Sequence, residues 1–356
     1  MRTAFLTLLV FVFPGIAFAQ PVSSIHRGEV VEVHSSGIES IEGTALSEEY
    51  QNLSIRIIEG DRTGEVVPAY NDSSAIFKPG EILYVRSTVL SEGEEEQWVV
   101  VEPDRRTVLI SLAILFALVT ALAGGMAGVR SLVALVASFL IIIFGLLPAL
   151  MAGAPPALTS TLFAGVMLAV SMVITHGTKR ETFIALAGSA AALLVAVVVA
   201  EAAVRLARLS GFVSDEAVYL NFQTDGTLDL AGLLLGGILI GIVGVLNDIS
   251  VSQVHTVSEL RAANPALTRQ ELLRKAMRVG QEHLGAVVNT LPLAYAGAAL
   301  PLLLLFSTTD APLLLVINRE VFASEVIRVL AGGIALSLSG VVATILAVYA
   351  FTRRKG

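Results

Sequence analysis

Asp248, Ser252, His255 and Glu259 recur at four- and three-residue intervals, so a helix through them carries all four on one face. A second polar group follows: Glu282, then Asn289, Thr290 and Tyr295 within a run that is otherwise apolar. Carboxylates placed this way bind or release a proton or a cation, while the amide and hydroxyls add neutral donors and acceptors. Ionisable groups in apolar stretches are functional candidates by default. Asp248, Ser252, Glu282, Asn289, Thr290 and Tyr295 are therefore the candidate substrate- or ion-binding set. The plain reading beside it has Asn289 and Thr290 bonding locally and Glu282 facing water. His255 and His283 read as surface residues. Glu201 and Arg205, four apart on one helix, read as a structural ion pair. His176 ends an apolar run, and Asp229 begins another as an N-terminal helix charge.

Other chemistry is excluded by what is missing. There are no cysteines, so thiolate zinc sites, disulfides and cysteine nucleophiles are all ruled out. No phosphate-binding Gly-x-x-x-x-Gly-Lys-Ser/Thr loop occurs, so the chain has no ATP site of its own. His-Glu-x-x-His, Gly-x-Ser-x-Gly and EF-hand patterns are absent too. The expectation is a protein that is not an enzyme, with no catalytic residue, cofactor or metal. A net charge of -7 leaves no basic footprint for nucleic acid.

The elements that must position the candidates are set by lipid. Charged residues make up 15% of the chain and hydrophobic ones 55%, with a mean hydropathy of +0.79. That leaves too little polar surface for water, so the bilayer is the expected solvent. Apolar runs fall near 107–127, 131–152, 157–176, 182–204, 229–249, 284–306 and 327–351. Each approximates the roughly 20 residues that cross hydrocarbon. Gly124-Gly125-Met126-Ala127-Gly128 predicts a tight hairpin between the first two. Gly232, Gly236, Gly237, Gly241 and Gly244 allow close helix approach in the fifth. Pro292 and Pro301 interrupt the sixth.

Arg130, Lys179, Arg180, Arg261, Arg269, Arg274, Lys275, Arg278, Arg353, Arg354 and Lys355 fall in alternate connections, and acids dominate the others. The positive-inside rule then puts the C-terminus and the loop 250–285 in the cytoplasm. In that loop, Thr268-Arg269-Gln270-Glu271 has capping-box spacing. The helix that follows is basic and amphipathic, and is expected to lie at the inner membrane surface.

Ahead of the apolar runs, Arg2, an apolar core and Ala17-Phe18-Ala19 before Gln20 form a signal-peptide pattern over 1–19. Residues 20–106 read differently, as short alternating strands with turn punctuation at Gly60-Asp61-Arg62-Thr63-Gly64 and Lys78-Pro79-Gly80-Glu81. Glu92, Glu94, Glu95 and Glu96 form an acidic loop there, read as a solubilising feature. The expected domains are thus a signal peptide 1–19, an extracytoplasmic β-rich domain 20–106 and a transmembrane domain 107–356. The expected fold class is a polytopic α-helical membrane protein of about seven spanning helices with a small N-terminal all-β, OB- or SH3-like barrel.

The chain resembles the YibE/F family of bacterial multi-pass membrane proteins. The resemblance rests on Gly241 through Asp248, Ser250, Ser252, Glu259-Leu260, Asn264-Pro265, Gly280, Gly285, Asn289-Thr290-Leu291, Ala294-Tyr295-Ala296-Gly297 and Leu300-Pro301. His176-Gly177-Thr178-Lys179 and the Gly60-to-Val85 stretch are also similar. Glu282 stands where the family pattern carries an Asp, one methylene shorter. The resemblance implies architecture and location, a multi-pass protein of the plasma or inner membrane, and it assigns no reaction. Two functions fit the residues. The first is a secondary transporter or permease component for a small solute or ion. The alternative is a non-transporting scaffold or assembly factor that binds protein partners through its exterior domain and cytoplasmic loop.

Overall fold

The structure, a computed structural model, describes residues 24–40, 47–72, 75–89, 96–308 and 310–352. The signal-peptide pattern, Glu92, Glu94, Glu95 and the terminal basic triplet from Arg353 lie outside these residues. The chain divides into two compact units, Met1–Leu115 and Phe116–Gly356.

The first unit is built on alternation. β3 (Val66–Asn71) and β4 (Ile82–Thr88) bury every second residue, as strands with one face on a core must. With β1 (Ser24–Ser40), β2 (Ser47–Ile57) and β5 (Gln97–Pro103) they close a barrel of order β1-β2-β3-β5-β4. All pairs are antiparallel except β3 with β5. Leu53, Ile55, Ile57, Leu83, Val85 and Trp98 lead its core. Gly60 and Gly64 adopt left-handed φ of 93° and 92° and close the β2–β3 hairpin, the connection expected from the sequence. Gln51 is buried and satisfied: its amide gives to the Phe77 carbonyl at 3.0 Å and accepts from the Phe77 N–H at 2.8 Å.

α1 (Arg106–Ile141) leaves this barrel at a charged collar. Asp104 accepts from the Arg106 backbone N–H at 2.9 Å and from Arg27 Nε at 2.7 Å, and Glu59 takes Arg27 at 2.8 Å. These bonds hold the Asp104 carboxyl down at about 2, with the Arg106 backbone donor the largest cause.

The second unit is helical. α1 continues through one π-helical turn (Ile142–Leu146) into α2 (Leu147–Met151). α3 (Pro156–His176), α4 (Arg180–Leu206), the short α5 (Asp215–Gln223) and α6 (Leu230–Ala263) follow. Then come α7 (Arg269–Val287), α8 (Thr290–Ala298), α9 (Leu300–Ser307), α10 (Leu313–Asn318) and α11 (Glu320–Thr352).

Among the described residues five helical stretches are long and apolar enough to cross a membrane, or six if the bent segment α7–α9 is counted as one span. The sequence expectation is about seven spanning helices, and Gly125 breaks the first stretch. It sits at φ 55°, ψ -138° inside the first stretch, Arg106–Met151. The chain folds back there so tightly that a Cβ on Gly128 would collide with the Thr120 carbonyl. That first stretch is therefore two helices meeting at a hairpin.

α4, α6 and α11 form the packed centre, with α3 against α6. Small residues set the spacing: a Cβ on Gly188 would stand 2.9 Å from the Ala343 Cα, and one on Gly236 would overlap the Ser160 hydroxyl. α6 has 34 residues, about 51 Å at the helical rise, against roughly 30 Å of hydrocarbon. If α6 spans a bilayer, its C-terminal third is the projection left over. α7 covers that projection, burying Leu272 and Ala276 completely. The amphipathic helix expected at the membrane surface thus spends its apolar stripe on α6 and α11, because the overlong α6 offers that stripe a protein partner.

Candidate functional site

Helix ends are fixed by local chemistry, and this registers the site. Asp229 caps α6 by accepting from the Gly232 N–H at 2.9 Å. Thr268 and Glu271 form the capping box of α7, with bonds of 3.3 and 2.9 Å, and the Thr268 backbone donor holds the Glu271 carboxyl below its ordinary range. From that start, α7–α9 run antiparallel to α11 along its whole length. Arg269 bonds Thr352 at 3.0 Å and covers the Tyr349 ring at 4.4 Å. A Cβ on Gly332 would meet Leu291 at 2.8 Å. Arg328 lies 5.4 Å over the Tyr295 ring, and Phe306 packs on Phe322 at 4.9 Å and under Arg319 at 4.7 Å. The contacts run along α11 without doubling back, and a 65° bend separates α8 from α9.

Two breaks lie in that segment, at Val288–Asn289 and at Ala299. Pro292 and Pro301 lack the N–H that would bond the carbonyls of Val288 and Gly297 in a continuous helix. Asn289 occupies the first break, is exposed and makes no side-chain cap. Thr290 satisfies itself on the Val287 carbonyl at 2.6 Å. Tyr295 is half-buried and points at α6, where a Cβ on Gly241 would stand 2.6 Å from its hydroxyl.

Asp248, His255 and Glu259 do share the outward face of α6, with Ser252 half-buried among them. Ser252, His255, Thr256 and Glu259 line an open groove there. Asp248 lies within electrostatic reach of His283 on α7, and the His255 ring stands 6.3 Å from that of His176 at the end of α3. Glu282 is exposed. Among the described residues no hydrogen bond or ion pair joins Asp248, Glu282 and Asn289, and no group of three or more His, Asp or Glu is placed to hold a metal ion. Glu201 and Arg205 pair at 2.5 Å.

The buried polar groups are on the opposite face of α6. Gln253 is 1% exposed, and its amide lies flat against Gly280 of α7, where a Cβ would stand 2.8 Å from it. Thr344 of α11 is within 3.0 Å of the Gln253 amide and 2.7 Å of the Gly340 carbonyl. Both neighbours are acceptors, the Gln253 Oε1 and the Gly340 carbonyl, so the single hydroxyl proton serves one of them at a time. Gln253, Gly280, Gln281, Ser337, Gly340 and Thr344 line a cavity of about 30 Å³ between α6, α7 and α11. That holds a water and no solute. Nearby, Ser250 Oγ and Asn247 Oδ1 are buried without a hydrogen-bond partner among the described residues. Higher on α11, Arg328 and Glu325 form an ion pair at 3.4 Å.

Sequence reasoning passed over Gln253, Thr344, Glu325 and Arg328. For Arg328 a signal existed, since it falls inside an expected span. For Gln253 none did, because α6 is apolar on several faces.

The two ends of the bundle differ in charge. At one, Arg180 donates to the Ala350 carbonyl at 2.7 Å beside Arg269, so two guanidinium groups meet the C-terminal end of α11. At the other, Glu320 accepts from the Gly211 N–H at 2.6 Å and from Ser210 at 2.8 Å. Compared with known proteins, residues 112–353 match the sequence profile of a family described as YibE/F-like protein. No curated protein and no solved structure matches.

Proposed function

The chain belongs to the YibE/F-like family over its helical part, and from that membership and the site geometry we propose a multi-pass membrane permease, or permease component, for a small solute or ion. The observation that carries the reading is the interrupted traverse α7–α9. A helix broken twice and backed by polar groups on α6 and α11 is how membrane transporters build a movable binding site. The two carboxylates, Asp248 and Glu282, lie on either side of the α6–α7 corner and would exchange a proton or cation on the inner side. The cavity at Gln253 is too small for a solute, so the conformation is a closed one, and α7–α9 is the element that moves. Glycines at 241, 280 and 332 take the close contacts with that segment and give it smooth surfaces to slide on.

In this reading the hairpin at Gly125 and the traverse α7–α9 each count as crossings, giving about seven in all. The basic end of the bundle is cytoplasmic, and the barrel is exported as an OB-type domain on the other side. Ion and solute flux into proteoliposomes, measured across a panel of small anions and cations, tests the proposal. Flux above empty vesicles that falls at least tenfold in D248N and E282Q supports it. A panel in which every flux equals that of empty vesicles, or is unchanged in both variants, overturns it.

A scaffold role has one observation in its favour. The α4–α6–α11 centre is packed through small residues with no room for a solute. A rigid centre is equally required of a permease whose moving part is peripheral, so the permease reading is preferred.

A further inference from the structure

Arg328 carries a buried N–H that, among the described residues, has no hydrogen-bond partner. It follows Glu320 by eight residues on α11, which places it about 12 Å in from that end of the helix. A guanidinium carries several N–H donors in a planar fork, and among the described residues none of those of Arg328 makes a hydrogen bond. Its one charged contact is Glu325, a turn earlier, at 3.4 Å through a terminal nitrogen. The Tyr295 ring takes the face of the group at 5.4 Å. Nε is buried with no acceptor at all. The side chain is nevertheless 23% exposed, so a ligand can reach it.

An unpartnered buried donor costs free energy that an acceptor would recover. A long ion pair to one side leaves the fork open for a bidentate oxyanion. Tyr295 sets the orientation of that fork from the interrupted segment, since its hydroxyl abuts Gly241 of α6 and its ring underlies the guanidinium. Tyr295 of α8 thus links α6 to a cationic group on α11 whose one anionic contact is the long pair with Glu325.

We propose that Arg328, oriented by Tyr295, is a binding site for an oxyanion, a carboxylate or phosphate group, and that Glu325 is the internal carboxylate that group displaces. The site faces the moving segment of the permease reading, so its ligand would be an anionic solute or the phosphate of a lipid headgroup. Glu325 holds the cation when the ligand is away and lowers affinity while it does so. The proposal rests on the permease reading for its role, though not for its chemistry.

The full-length protein in phosphatidylcholine nanodiscs, titrated calorimetrically with acetate and with inorganic phosphate, tests it. Saturable binding should weaken about tenfold to a hundredfold in R328Q. R328K, which keeps the charge and loses the fork, should fall between. E325Q should bind more tightly than the native protein. In a second arm, discs containing phosphatidylglycerol are read by native mass spectrometry. Headgroup adducts retained by the native protein and lost in R328Q, with weak soluble binding, support the site and assign it to lipid. If neither soluble anions nor lipid distinguish the native protein from R328Q and R328K, or if E325Q weakens binding, the proposal is overturned. Because this is an equilibrium measurement, its failure alongside intact flux would remove the oxyanion and leave the permease standing.

Discussion

At the scale of single residues, close approach and solvation decide what each position tolerates. Gly280→Ala would push a Cβ into the Gln253 amide at 2.8 Å, and should destabilise the protein by about 1–3 kcal/mol. Gly285, five residues on, has open space around it, so Gly285→Ala should be neutral or stabilising by up to about 1 kcal/mol. Thermal melts of the two variants in detergent check the contrast; equal melting would remove the packing argument. In the barrel, Asp104 is held at about 2, below the ordinary 3.8. A depressed carboxyl stabilises the fold above its unfolded value and loses that contribution as pH falls through the folded one. Acid unfolding should therefore begin as pH drops below about 4 and be largely complete in its Asp104 component near pH 2. The protein has one tryptophan, Trp98 in the barrel core, so its fluorescence reports this unit alone. Asp104→Asn should flatten the transition, and an unchanged titration would show that the collar does not govern it. Asp229 and the Thr268–Glu271 box could be read from sequence because caps are local. Gln253 could not, since periodicity tells which residues share a face of α6 and not which face turns inward. On α6 the sequence reading fell on Asp248 and Ser252, while the buried polar groups Ser250 and Gln253 lie opposite.

At the scale of elements, the register of α7–α9 against α11 is the feature to challenge. The absence of native cysteines makes pairwise cross-linking clean. Cysteine pairs at 269 and 352, 291 and 332, and 306 and 322 should each link with a short thiol reagent, and the offset pair 291 and 352 should not. Linking of the offset pair would mean a re-entrant path instead of a traverse. Thr268→Ala should cost about 1 kcal/mol through loss of the box. The amphipathic pattern of α7 was plain in the sequence, but its partner was not. An apolar stripe such as that of Leu272 and Ala276 satisfies lipid and protein equally, and only the length of α6 selects protein.

At the scale of the whole molecule, the apolar exterior and the polarity of the bundle ends frame the account. Val108, Leu112, Phe116, Leu118 and Leu122 of α1 are all exposed, and each would forgo about 1.5–3 kcal/mol in water. A lipid solvent would remove this penalty. The barrel-plus-helices architecture was readable because strand and span periodicities differ so sharply. Gly125 and the two prolines mark where the helical stretches break, but the direction the chain takes there depends on backbone angles that sequence does not state. The central claim, that α7–α9 lines a path and moves, is tested most directly at Tyr295. A single cysteine at 295 in sealed, oriented proteoliposomes can be exposed to a membrane-impermeant maleimide from either face. Labelling from both faces, in a population that exchanges between them, is the predicted result. Labelling from one face only, or from neither, would contradict it.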